Sequence, residues 1–126
     1  NETVNDTQKK IVAVATNSAK YGISARSGYC QAWVADVYQA VTGSRGSAHC
    51  ALCAADMWAV SSDWSKIPVG AAIYGYSSSK YGHVGIYIGN GMVAHNIGYI
   101  KIEPIEDWIK TYKGFAWGWE NGYIKE

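Results

Sequence analysis

Apolar residues along this chain follow two different periods, and the change falls just past its middle. Across residues 6–20 the positions Ile11, Val12, Ala15 and Ala19 recur at helical spacing, with Asp6 or Thr7 placed to cap the start and Gly22 to end it. A loop carrying Gly22, Ser24, Ser27 and Gly28 leads to a second periodic segment, in which Cys30, Trp33, Val34, Val37 and Val41 share one face and Gly43 closes the run. Cys30 is therefore expected in the first turn of a helix. A third helix is predicted over 49–60, where Cys50, Cys53, Ala54, Met57 and Trp58 keep the same spacing. Pro68, Val69 and Gly70 break that pattern. Beyond them the period falls to two, and strands are predicted over 71–76, 83–88, 92–97, 99–103 and 115–119. One more helix is predicted over 104–112, with Pro104 in the first turn and Gly114 after the end. Helices first and a mostly antiparallel sheet later define an α+β domain, expected to occupy residues 1–126 as one unit.

The stretch His83-Val-Gly-Ile-Tyr-Ile-Gly-Asn-Gly-Met-Val-Ala-His95 reads as a hairpin around Gly-Asn-Gly, with a histidine at each outer end. Its register decides which polar residue meets His83. A three-residue loop, Gly89 to Gly91, pairs Ile88 with Met92 and Gly85 with His95 and puts both histidines on one face; a two-residue loop, Asn90 and Gly91, pairs Gly85 with Asn96 instead. His95 is the preferred partner and Asn96 the alternate. Gly85, between the histidines, has no side chain to block a neighbouring backbone or substrate.

A cysteine is a useful nucleophile only as thiolate, and the positive end of a helix together with an imidazole favours that form. Cys30 has the first feature by position, and the backbone N–H groups of the same turn, its own included, can contribute to an oxyanion hole. Cys30, His83 and a third polar residue thus have the composition of a thiol hydrolase site, in which the third residue holds the base in its working tautomer. On packing grounds alone Cys30 reads equally well as a buried thiol against Trp33 and Val34. The histidine hairpin favours chemistry.

Composition narrows the partners. The chain has 126 residues and a formal net charge of +1, and no run of Lys or Arg exceeds the pair Lys9 and Lys10, so neither nucleic acid nor an anionic membrane surface is an expected partner. The longest nearly apolar run, residues 11–15, falls far short of the roughly 20 residues that span a bilayer, and no membrane span is expected. The first residue is Asn, which reads as a processed product or as a piece of a longer polypeptide. Ten Tyr and six Trp stand against one Phe, a balance suited to a groove for a polar ligand.

Ser27-Gly28-Tyr29-Cys30-Gln31-Ala32-Trp33-Val34 opening a helix, followed by His83 to Gly91 and then Val93-Ala94-His95, resembles the NlpC-type cysteine peptidases. The resemblance covers residues 20–102 and is strongest at the hairpin. It implies a compact papain-like fold and hydrolysis of amide bonds in bacterial peptidoglycan stem peptides. By the same resemblance Cys30 takes the place of the nucleophile, His83 of the base and His95 of the orienting residue, and Tyr21 is nearest to a family tyrosine that assists near the oxyanion. Two departures stand out. The family's Asp-Cys-Ser-Gly is here Tyr29-Cys30-Gln31-Ala32, and its Gly-Asp before the first strand is Gly70-Ala71, so two carboxylates are gone and the chain reads as a divergent member with some similarity to CHAP-type amidases.

Cys50 and Cys53 read as a disulfide, which would leave Cys30 as the free thiol of an exported protein, or as two buried thiols on one helical face. A zinc site would have to recruit His49 and a distant residue such as His95, so no metal or cofactor is expected. Tyr29, Trp33, Tyr76 and Tyr81 are the candidate groove walls, and Asp36, six residues past Cys30, is expected to face solvent. The leading reading is a monomeric, secreted or wall-associated peptidoglycan hydrolase of bacterial or phage origin, with an inhibitor or wall-binding domain as possible partner. A papain-like acyltransferase or amidase on a non-wall substrate and a non-catalytic wall-binding module are the alternatives.

Overall fold

A computed structural model describes residues 3–125. Helices α1 (Asp6–Thr16), α2 (Cys30–Thr42) and α3 (Ala51–Trp58) come first, followed by strands β1 (Ala59–Ser61), β2 (Ala72–Gly75), β3 (His83–Gly89), β4 (Met92–Asn96) and β5 (Ile100–Pro104). Helix α4 (Ile105–Tyr112) and strand β6 (Ala116–Gly118) complete the set. The strands form one six-stranded sheet in the order β1-β6-β2-β3-β4-β5, and every pairing is antiparallel. The α+β class follows.

Strand alternation sorts the side chains into two cores. Ala72, Tyr74, Val84, Ile86 and Ala94 lie under α1, α2 and α3 with Ile11, Val14, Trp33, Val34, Val37 and Tyr38. The intervening positions Ile73 and Val93 face the other way and pack with Trp108 of α4. His83, Gly85 and His95 belong to that second set. The histidines thus lie on the face that α4 covers, and Cys30 comes to the sheet from the helix layer.

Local chemistry moves several boundaries. Helix α1 is capped by Asn5 rather than by Asp6 or Thr7, because Asn5 Oδ1 accepts from Gln8 N at 2.8 Å while Gln8 Oε1 accepts from Asn5 N at 2.9 Å. It stops at Thr16, and the residues expected to prolong it form a separate 3-10 turn, Ser18–Tyr21, ended by Gly22 at φ 72°. Helix α3 starts at Ala51, after Cys50 as its cap, and the residues expected as its last turn open β1. Strand β1 pairs with β6 at Ala59 and Gly118, where a Cβ on Gly118 would stand 2.0 Å from the Trp58 carbonyl oxygen. Pro104 closes β5 and stands one residue ahead of α4.

The hairpin combines the two loop lengths. Gly89 pairs with Met92 across a tight turn in which Asn90 (φ 54°) and Gly91 (φ 72°) are both left-handed. The register then shifts by one, Tyr87 pairing with Val93 and Ile86 with Ala94, so Ile88 is a bulge and does not pair with Met92. Continuing that register brings Gly85 opposite His95, and a Cβ on Gly85 would lie 3.1 Å from the His95 Cβ.

A second glycine lets α4 close over this face. Gly75 pairs with His83, and a Cβ there would meet the Tyr112 carbonyl oxygen at 2.6 Å and the Tyr112 Cβ at 2.9 Å. Because the obstructing atom is backbone, α4 would have to move. Gly75→Ala is expected to cost roughly 1–3 kcal/mol of stability, the usual range for overpacking. Urea denaturation with an unchanged m-value checks it, and full native stability in the variant would refute the close fit.

Candidate active site

Helix α2 begins at Cys30, and its capping residue Tyr29 makes no side-chain hydrogen bond to the first turn. The N–H groups of that turn are thus not screened by a cap, and those of Cys30 and Gln31 act on the thiol. The sulfur lies 4.0 Å from the Gly82 carbonyl oxygen and also meets the backbone of Val84. The thiol is therefore seated against the backbone on both sides of His83. Asn96 fixes the loop that feeds this helix start: its Nδ2 donates to the Arg26 and Tyr29 carbonyls at 2.8 and 3.4 Å, and its Oδ1 accepts from Gly98 N at 2.9 Å.

His83 and His95 are joined directly, His83 Nε2 to His95 Nδ1 at 2.8 Å. With Asn96 committed to the loop before α2, His95 is the residue that meets His83. His95 in turn reaches Glu103 on β5, Nε2 to Oε2 at 2.5 Å. The Tyr112 ring stacks on His83 with centroids 4.1 Å apart and planes 24° apart, and Trp108 lies edge-on to His95. Two sides of the imidazole pair are thereby fixed by α4.

Cys30 and His83 open into one groove of about 680 Å³, with Tyr29, Tyr81, Arg45 and His49 along it. Tyr29 and Tyr81 are half exposed, and the Arg26 guanidinium lies 4.2 Å from the Tyr29 ring centroid. Three of the expected side chains are elsewhere. Trp33 is wholly buried, with Nε1 donating to Ser18 Oγ at 3.1 Å, and belongs to the core. Tyr76 packs its ring on Phe115, centroids 4.9 Å apart, and is outside the groove lining. Tyr21 ends a 3-10 turn with half its surface in solvent and does not line the groove, so nothing places it beside an oxyanion. Asp36 is partly exposed and bonded to Arg45, and is not itself part of the groove lining.

Glu103, Tyr112 and Glu120 were not singled out by sequence reasoning. Glu103 has a signal in retrospect, since the alternation through Lys101 puts it on the His95 side of β5. Glu120 has none. It is fully buried beneath α2, accepting from Gln31 Nε2 and from Tyr74 Oη, both at 2.7 Å. Cys50 and Cys53 form a disulfide, which leaves Cys30 as the free cysteine among the described residues. Among those residues no cluster of three His, Cys, Asp or Glu is arranged to hold a metal ion, and no helix is long and apolar enough to cross a membrane.

Solved structures share this fold, among them two NlpC/P60-type proteins. The NlpC2 protein of Trichomonas vaginalis matches with a TM-score of 0.68 at 18% identity, over 99% of this chain and 49% of its own. An NlpC/P60 family protein of Bacillus cereus matches with a TM-score of 0.61 at 16% identity, over 87% of this chain and 40% of its own. No family model and no curated protein sequence matches the chain. The chain spans less than half the length of either structural relative. The fold is therefore the papain-like fold of NlpC/P60 proteins, with a cysteine at the start of a helix and a histidine pair on the adjoining strands.

Burial sets the resting charges. It pushes the Cys30 thiol above its ordinary value, against the lowering pull of the Val84, Gln31 and Cys30 backbone. Burial also lowers His83 to about 3, with His95 adding to the effect, and lowers His95 against the opposing pull of Glu103. Thiol and imidazoles are thus neutral at rest near pH 7. Glu120 is raised by burial to about 7, partly offset by its hydrogen bonds from Tyr74 and Gln31.

These shifts act on stability in opposite directions. Neutral His83 contributes stability that is complete above about pH 6.5 and is lost as pH falls toward 3. Glu120 contributes stability that is complete below about pH 4.5 and is lost as pH rises through 7. Between pH 4.5 and 8 the native chain is therefore expected to lose roughly 3 kcal/mol relative to Glu120→Gln, at 1.36 kcal/mol per decade of pKa. Urea titrations of both proteins across that range measure the difference; parallel curves would mean that Glu120 ionises freely in the folded state.

Proposed function

We propose that the chain is a divergent NlpC/P60-type cysteine peptidase that hydrolyses an amide bond in the stem peptides of bacterial peptidoglycan. One observation carries the reading: Cys30, at an uncapped helix start, sits against the backbone flanking His83, whose imidazole is backed by His95 at 2.8 Å, and both open into the same groove. His83 Nε2 is occupied by His95, so Nδ1 is the nitrogen left for the thiol.

In this mechanism His83 takes the Cys30 proton as sulfur attacks the amide carbonyl, because burial disfavours a resting thiolate and imidazolium. Charge then develops next to the N–H groups of the α2 first turn, which favour negative charge at the sulfur and at the carbonyl oxygen. His83 returns the proton to the leaving amine, and water clears the thioester. No metal enters the scheme.

The groove supports a stem peptide as substrate. Its lining holds no Asp or Glu among the described residues, while Arg45 stands along it in an ion pair with Asp36, a pattern that suits a peptide bearing free carboxylates better than one bearing free amines. The Cys50–Cys53 disulfide suits an oxidising location, secreted or at the wall.

Mass spectrometry of fragments released from purified peptidoglycans of several wall chemistries tests the reading. The native chain is expected to release fragments whose masses name the bond, and Cys30→Ala and His83→Ala are expected to release none. No release by the native chain from any wall, or release that survives Cys30→Ala, would overturn it.

A further inference from the structure

Glu103 does more than contact the histidine pair, because its acceptor chemistry propagates to the base. As a carboxylate it can only accept hydrogen bonds, and its Oε2 lies 2.5 Å from His95 Nε2, so that nitrogen must carry the proton. A neutral imidazole has one N–H. His95 Nδ1 is then a lone pair, and the 2.8 Å contact with His83 Nε2 requires that His83 be the donor. His83, also neutral, is left with a bare Nδ1, the nitrogen outside this chain of contacts. One carboxylate on the strand next but one to His83 thus fixes where every proton in the pair resides.

We propose that Glu103 is a positioning residue which, through His95, holds His83 in the tautomer whose Nδ1 lone pair can accept a proton from Cys30. The inference rests on the peptidase reading for its catalytic meaning, though the proton order itself does not. His95 has no solvent-exposed surface and the Glu103 side chain is 12% exposed, so water has little room to replace the carboxylate. The sheet supplies the placement: His95 pairs with Lys101 on β5, and Glu103, two residues further along, stays on the same face. The other groups near Glu103 are Lys101, whose Nζ lies 3.8 Å from Oε1, and Tyr112 from α4. Without Glu103, His95 would be free to hold its proton at Nδ1 and donate it to His83 Nε2. That would move the His83 proton to Nδ1 and remove the lone pair the thiol needs.

Long-range proton–nitrogen correlation spectra of the imidazoles, recorded near pH 7.5, test this without any substrate. In the native chain His83 and His95 are each expected to show a protonated Nε2 and a bare Nδ1. Glu103→Ala is expected to give His83 a mixture of tautomers. Glu103→Gln, which keeps an acceptor oxygen and the side-chain volume, is expected to stay closer to native; if the alanine variant does not fold, the site of the His83 proton in the native chain decides alone. On any wall the native chain cleaves, the expected kinetic effect is a fall in kcat of roughly 10–100-fold for Glu103→Ala with KM little changed, by analogy with the loss of carboxylates that orient metal-bound histidines. A native His83 protonated at Nδ1, or a single unchanged tautomer in both variants, would overturn the proposal. Absence of wall cleavage by the native chain would defeat the peptidase reading alone, since the tautomer spectra decide this one independently.

Discussion

The arrangement of the site depends on a one-residue shift in the β3–β4 ladder. Side chains alternate across a strand, so slipping the pairing by one residue would carry His95 to the helix-packed face and bring Asn96 round in its place. The bulge at Ile88 absorbs that residue between the tight Asn90-Gly91 turn and the ladder beyond, where Tyr87 meets Val93 and Ile86 meets Ala94. From there every neighbour is determined: Gly85 opens space beside His95, β5 pairs with β4 so that Glu103 reaches the imidazole, and α4 closes over both rings. A bulge that looks like a flaw in the ladder is what allows a two-residue turn and a same-face histidine pair to coexist.

The opposite side of Cys30 is fixed by buried polar groups. Gln31 follows Cys30 and is bonded to Glu120, which also accepts from Tyr74 in β2, tying the start of α2 to the sheet below it. Asn121, in a left-handed conformation at φ 57°, donates to the Ala35 and Ser44 carbonyls and so joins the end of the chain to the middle of α2 and to the loop beyond it. Burying a carboxyl is costly, and apolar packing would stabilise the helix as well or better. Hydrogen bonds have directions that methyl groups lack, however, and a helix whose first residue must meet a particular strand gains more from orientation than from added burial.

The parts of this architecture that were legible in the sequence are those governed by local pattern. The Cys30 helix, five of the strands and the histidine hairpin all follow from spacing and turn residues, and the ends of those strands differ from expectation by no more than a single residue, whereas β1 stands where helix was expected. Whatever depends on non-local register was hidden. Glu103 becomes visible only when β5 is laid beside β4, Tyr112 only when α4 is folded back over Gly75, and Glu120 only when the C-terminal segment passes beneath α2. The misplaced aromatics share one cause. Trp33 and Tyr76 were expected as groove walls and Tyr21, by resemblance, beside an oxyanion, but the groove is lined by loops far apart along the chain, which spacing alone does not bring together.

Burial of Cys30 and His83 has a further consequence for a protein that holds Cys50 and Cys53 as a disulfide. The surroundings that keep such a disulfide oxidised also threaten any thiolate, because the thiolate is the form that oxidants and disulfides attack. A standing thiolate–imidazolium pair would offer that form continuously. With the thiol raised and the imidazole lowered by desolvation, both groups rest neutral, and in the mechanism proposed above the proton would leave sulfur only as a carbonyl receives the attack. On that proposal the helix N-terminus would act at the moment charge appears instead of maintaining it beforehand, and the tautomer of His83 would be the property on which its service as a base depends.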